Sequence, residues 1–75
     1  MNDMRRKALW TIWDQMDELK GCLEALQMEE EEYQEYIPEN SQAAARLEAS
    51  NIAYDGMTSA LYHLEKAMSS VEEAI

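Results

Sequence analysis

The sequence predicts an all-α fold, an antiparallel hairpin of two long helices with coiled-coil-like packing. Three observations support this prediction. Apolar residues recur at alternating spacings of three and four in both halves of the chain, helix-forming residues dominate, and the only proline lies near the middle. No stretch keeps the alternation of apolar and polar residues that is typical of a half-buried strand. With 75 residues the chain is long enough for one domain, residues 1–75.

Helix 1 is predicted over residues 3–36, because the periodic pattern begins just after Asn2 and Asp3, either of which is a good N-cap. Its apolar seam, interrupted only by one glutamate, consists of Leu9, Ile12, Met16, Leu19, Leu23, Leu26, Glu30, Tyr33 and Ile37. About four heptads of this kind are enough for a long helix to pack along a partner helix.

A turn is predicted at residues 37–41. Pro38 cannot continue the first helix and pushes Ile37 out of the helical region, and Asn40 or Ser41 can cap the next helix. Helix 2 then runs over residues 41–74, with a seam of Leu47, Ser50, Tyr54, Met57, Leu61, Leu64, Met68, Val71 and Ile75. A short connection makes the two helices antiparallel neighbours, and folding at the turn places Glu30 opposite Ser50.

The chain has more apolar residues than one hairpin seam can bury. Four alanines recur every seven residues beside the seam of helix 2, and apolar residues also flank the seam of helix 1. A widened apolar face is typical of a helix with two helical neighbours, so we expect a homodimer forming a four-helix bundle. Its interface is predicted to use Trp13, Cys22, Ala53, Ala60, Ala67 and Ala74. The alternatives are a monomer, in which the alanines only favour helix, a complex with another protein, and a higher assembly of the same chain.

Acidic residues outnumber basic ones by 16 to six, giving a formal net charge of −10 and a pI of about 4.3. This balance argues against direct binding to nucleic acid, whose phosphates would be repelled. The densest acidic run has two interpretations. It is either a solvated face that keeps the protein soluble, or a surface for a partner with a basic surface. The residues of that predicted surface are Glu29, Glu30, Glu31, Glu32, Tyr33, Glu35, Tyr36 and Glu39.

No enzyme, cofactor site or metal site is predicted. A lone histidine, His63, is expected near Asp17, but a metal-binding bundle requires several such ligands, and Cys22 has no activating neighbour in the sequence. No apolar run reaches the roughly 18 residues of a membrane span, so no membrane partner is expected. One unpaired cysteine fits a reducing compartment, which predicts a cytoplasmic location.

Several features occur in a distinctive order along nearly the whole chain. A basic start, Arg5 to Lys7, precedes a leucine-rich helix and the Glu29–Glu32 run, and a Pro38–Asn40 turn leads to a second helix that ends in Ser70–Ile75. In this order the chain resembles a group of small acidic helical proteins encoded by phages and prophages of Gram-positive bacteria. The resemblance implies no functional residues. It implies a context in which such proteins bind and block host nucleic-acid machinery or defence systems.

Two functional hypotheses follow. In the first, the chain is a non-enzymatic protein-binding module, an inhibitor or nucleic-acid mimic of the phage type whose acidic, aromatic-bearing surface engages a basic host protein. In the second, it is a structural module that acts through homo-oligomerisation. Salt separates them, because charge-driven binding weakens with rising ionic strength, whereas apolar association does not.

Overall fold

The computed structural model describes residues 1–75 and consists of two long helices, α1 (Asp3–Glu35) and α2 (Ala44–Ala74). The two helices pack against each other along their lengths, and there are no strands. The prediction of an all-α antiparallel hairpin is confirmed. The molecule is a thin rod with principal extents of 59 × 15 × 11 Å. We call the end at residues 36–43 the turn end and the opposite end the open end.

Helix α1 begins with the cap that the sequence predicts. The side chain of Asn2 accepts a hydrogen bond from the backbone N–H of Arg5 at 2.9 Å, which satisfies one of the free N–H groups of the first turn. The helix ends at Glu35, one residue before the predicted end. Ile37, the residue before Pro38, is driven away from helical geometry and instead donates to the carbonyl of Gln34 at 3.2 Å.

The connection is longer than the predicted turn at residues 37–41, and α2 begins three residues later than expected. Asn40 explains the difference. Its side-chain oxygen accepts from the N–H of Ala43 at 2.9 Å, and its carbonyl accepts from the same group at 3.2 Å. These bonds hold Ser41 to Ala43 in a turn before the helix starts. Ile37 and Ala43 are buried at this end and anchor the connection between the helices.

The predicted seam of α2 is almost entirely correct. Ser50, Leu61 and Met68 are buried, and the remaining members are half-buried apart from Leu47, which is exposed at the turn end. Ser50 Oγ has no hydrogen-bond partner, although it is shielded from solvent. A buried hydroxyl without a partner costs free energy, so this residue weakens the seam in which it lies.

The predicted seam of α1 is half wrong. One row, formed by Leu9, Met16, Leu23, Glu30 and Ile37, faces α2 as expected. The second row, formed by Ile12, Leu19, Leu26 and Tyr33, is exposed. Its place against α2 is taken by the more shielded Arg6, Trp13, Lys20, Gln27 and Gln34. Helix α1 is therefore rotated about its axis relative to the prediction, with mostly polar residues turned inward and large apolar residues turned outward.

The core that results is very small. Only five of the 75 residues are buried, namely Ile37, Ala43, Ser50, Leu61 and Met68. A two-helix hairpin buries one stripe of each helix, and chains of this size expose a large share of their surface even when compact. The exposed rows are consequently as important for understanding this molecule as its interior.

Candidate protein-binding surface

One broad side of the hairpin carries an exposed row of large apolar side chains from α1. Its members are spaced by seven residues, which keeps them on one face of a helix that packs like a coiled coil. Leu19 and Leu26 are 58% and 52% exposed, values that are unusual for leucines at the centre of a protein. The row consists of Ile12, Leu19, Leu26 and Tyr33.

A row of small residues from α2 runs beside it. Ala53, Ala60 and Ala74 are exposed and Ala67 is half-buried. We call these four alanines, together with Ile12, Leu19, Leu26 and Tyr33, the apolar face. At its middle lies a groove of about 630 Å³, which the two helices form together. The groove is lined by Leu19, Cys22, Leu23, Leu26, Ala60, His63 and Leu64.

The opposite side of the hairpin is closed by polar side chains that reach across from one helix to the other. Gln27 Nε2 donates to Thr58 Oγ1 at 2.6 Å, and Gln34 Nε2 donates to Asn51 Oδ1 at 3.0 Å. Seven residues before Gln27 on α1, Lys20 Nζ lies 3.5 Å from a carboxylate oxygen of Glu65. We call these six residues the polar edge. Because it recurs every seven residues on both helices, we expect it to contribute to the rotation of α1.

Trp13 corrects the predicted oligomer interface. The sequence predicts it on the flank of the seam, in the interface of a dimer, but the structure places it against α2 in the row of Lys20 and Gln27, where it is half-buried. It borders a shallow depression shared with Met68 and Ser69, and its indole Nε1 is shielded without a hydrogen-bond partner. Its ring makes an edge-on contact with Trp10, 5.9 Å between centroids. The other predicted interface residues, Cys22 and the four alanines, lie in or beside the apolar face.

The predicted acidic surface is not one continuous face. Glu30 is half-buried in the seam and is therefore not part of it. The other residues are exposed, but helical geometry divides them. Glu29, Glu32, Tyr33 and Tyr36 adjoin the apolar face, whereas Glu31 and Glu35 point to the side of the polar edge. Glu39 follows in the turn. Tyr36 is 84% exposed, so the aromatic part of the prediction remains available to a partner.

The open end carries three of the six basic residues, Arg5, Arg6 and Lys7. Arg6 Nε donates to the main-chain oxygen of Ile75 at 3.1 Å, and Arg6 Nη1 pairs with Asp3 at 3.2 Å. Arg5 and Lys7 are exposed and form no ion pair. At the open end the three basic side chains are balanced by the carboxylates of Asp3, Glu72 and Glu73, whereas exposed carboxylates dominate the turn end. The turn end is therefore strongly acidic, and the side-chain charges of the open end cancel.

The structure contains no group of three or more His, Cys, Asp or Glu side chains arranged to hold a metal ion. No helix combines the length and the apolar character that crossing a membrane requires. His63, which the sequence places near Asp17, lies instead at the rim of the groove in the apolar face. Its ring contacts Tyr62 edge-on at 5.4 Å between centroids.

Sequence periodicity alone misassigned Ile12, Leu19 and Leu26 to the hairpin seam. A signal for their true position was present in the polar rows. Lys20, Gln27 and Gln34 are spaced by seven on α1, and Asn51, Thr58 and Glu65 are spaced by seven on α2. These rows match in reverse order, as an antiparallel pair requires. Comparison of the chain with models of known families, with curated proteins and with solved structures finds no match.

Proposed function

We propose that this protein is a non-enzymatic protein-binding module whose binding surface is the apolar face. The observation that supports this most strongly is the exposed row of Ile12, Leu19, Leu26 and Tyr33. A contiguous apolar stripe of this kind, beside a row of alanines, marks an interaction site in a soluble protein, because leaving it in water is unfavourable.

The shape of the face favours a helical partner. Small residues let a second helix approach closely, while the leucines beside them provide knobs that fill the spaces between its side chains. The groove bordered by Leu19, Leu26 and Ala60 is open along its length rather than enclosed, which suits a helix better than a small molecule. The unpaired, exposed thiol of Cys22 supports a reducing, cytoplasmic setting for this interaction.

A second candidate function uses the acidic surface at the turn end. Here the partner is a basic, nucleic-acid-binding protein, and the module acts as an inhibitor of the phage type that the sequence resembles. The specific observation in its favour is the exposure of Tyr36 beside Glu29 and Glu32. An aromatic side chain among carboxylates supplies a desolvated anchor for a contact that charge alone would only accelerate.

One experiment separates these candidates. The chain is immobilised and used to capture proteins from a lysate of the cells that encode it, alongside Leu26→Glu, Met28→Glu and the double variant Glu29→Lys, Glu32→Lys. Met28 is the matched control, because it is a 62% exposed apolar residue of α1 that lies outside the apolar face.

We expect Leu26→Glu to lower retention of the bound protein at least tenfold, because burial of a leucine contributes about 1.5–3 kcal/mol. Met28→Glu and the charge-reversed variant should retain it. Loss with the charge-reversed variant alone would instead favour the acidic surface. Equal retention by all four proteins would refute both candidates. Circular dichroism establishes that each variant remains helical.

A further inference from the structure

The hairpin exposes more surface than a folded chain of its size needs to. Its accessible area is 5791 Å², whereas a compact protein of 8.7 kDa exposes about 4,700 Å². The difference, about 1,000 Å², slightly exceeds the roughly 800 Å² that each partner buries in a stable protein–protein interface. One further interface over the apolar face would therefore bring this chain to the exposure of an ordinary folded protein.

The order of residue types along the apolar face is nearly the same from the open end to the turn end as in the reverse direction. On α1, Leu19 and Leu26 lie equally far from the level midway between Cys22 and Leu23, and so do Ile12 and Tyr33. On α2, Ala53 and Ala67 lie equally far from Ala60, whereas the fourth alanine, Ala74, is matched by Arg46. Cys22 and Ala60 border the same groove, so both helices share one midpoint. A surface with this property is self-complementary under a two-fold rotation about an axis through that midpoint.

On these grounds we propose that the partner of the apolar face is a second copy of this chain, packed so that the turn end of each hairpin lies beside the open end of the other. The inference rests on the proposed function and specifies its partner. In this dimer α1 packs antiparallel on α1 of the second copy. The leucine row is then shared between them, and Leu19 lies opposite Leu26. The alanine rows of the two α2 helices meet in the same way and allow close approach.

Charge decides the orientation. Rotation about the shared midpoint places the acidic turn end of each copy beside the open end of the other, where the basic side chains of residues 5–7 balance the carboxylates of Asp3, Glu72 and Glu73. The other two-fold arrangement keeps both turn ends together. It would place the exposed carboxylates of two copies side by side, which like-charge repulsion disfavours. These residues at the turn end are Glu29, Glu31, Glu32, Glu35, Glu39 and Glu48.

The test is thiol cross-linking of the purified full chain with a short bismaleimide, read by denaturing electrophoresis beside sedimentation equilibrium. In the proposed dimer the two copies of Cys22 lie near the rotation axis, and the unmodified chain should yield a covalent dimer. The matched control carries Cys22→Ala with Ala8→Cys. Its two thiols lie about 40 Å apart along the rod in the proposed dimer, so it should not cross-link. Mixed with Cys22→Ala, Tyr36→Cys, it should form the covalent heterodimer.

The outcomes are distinct. A mass twice the 8.7 kDa of the chain, with the predicted cross-links, supports the proposal. A doubled mass with neither the Cys22 adduct nor the mixed adduct overturns the proposed orientation. A mass of 8.7 kDa without adducts overturns the second copy as partner. In that case, loss of capture by Leu26→Glu would leave the proposed function intact with a different protein on the face, whereas unchanged capture would refute both.

Discussion

The two long sides of the hairpin differ in how they use the same helical repeat. On the polar edge, side chains recurring every seven residues reach from one helix to the other, as Gln27 does to Thr58 and Gln34 to Asn51. On the apolar face the equivalent rows are leucines and alanines, and they are left uncovered. The comparison teaches that the row of α1 that faces α2 is the one with polar partners on α2. The strongest apolar residues are thereby kept for contacts outside the hairpin.

The largest effect on stability should distinguish a leucine of the seam from a leucine of the apolar face. Leu61→Ala removes a buried side chain and should lower the free energy of unfolding by about 2–5 kcal/mol. Leu26→Ala makes the same truncation at a half-exposed position and should cost less than about 1 kcal/mol. Both are measured by urea unfolding in a Leu19→Glu background, which removes any contribution from association. Equal losses would contradict the rotation of α1 seen here.

The rotation of α1 also shows which features of the fold can be predicted from the sequence and which cannot. The helices, the Asn2 cap, the proline turn and the seam of α2 were all predictable, because each depends on local chemistry or on a single apolar stripe. The seam of α1 was not. Its apolar stripe is wider than one contact requires, and hydrophobicity does not distinguish Leu19, which faces solvent, from Leu23, which is half-buried. The row that faces inward is the one with polar pairs on α2, and those pairs are a property of two helices rather than one.

The same limit applies to the candidate site. The alanine row and Cys22 were predicted beside the seam, and the structure places them there. Trp13 is predicted on the flank of the seam but lies against α2. Glu30 is predicted both in the seam and in the acidic surface, and only its place in the seam is correct. The start of α2 was placed too early, since the side-chain and main-chain bonds of Asn40 prolong the turn through Ala43.

A smaller effect is expected at the one polar residue buried in the seam of α2. Ser50→Ala removes a shielded hydroxyl without a hydrogen-bond partner and should raise the free energy of unfolding by about 1–2 kcal/mol. Ser59→Ala is the matched control, because Ser59 lies in the same helix but is exposed, so it reports the change in helix propensity alone. Thermal unfolding of the two variants measures the difference. A Ser50→Ala variant no more stable than Ser59→Ala would show that the hydroxyl is satisfied in solution.

The smallest effect concerns the polar edge itself. A double-mutant cycle on Gln27→Ala and Thr58→Ala should give a coupling free energy of about 0.5–1.5 kcal/mol, because their 2.6 Å hydrogen bond is partly exposed. The parallel cycle with Ser59→Ala in place of Thr58→Ala should give no coupling, since Ser59 does not contact Gln27. Coupling near zero in both cycles would mean that the polar edge does not orient α1.

Sedimentation equilibrium of the unmodified chain, beside Leu26→Glu and Met28→Glu, tests the central claim most directly. If the polar edge closes the hairpin and leaves the apolar face for a second copy, the unmodified chain and Met28→Glu should sediment at twice 8.7 kDa. Leu26→Glu should sediment at 8.7 kDa with its helix content unchanged. A doubled mass that survives Leu26→Glu but is lost with Met28→Glu would place the interface on another side of the rod and contradict the account.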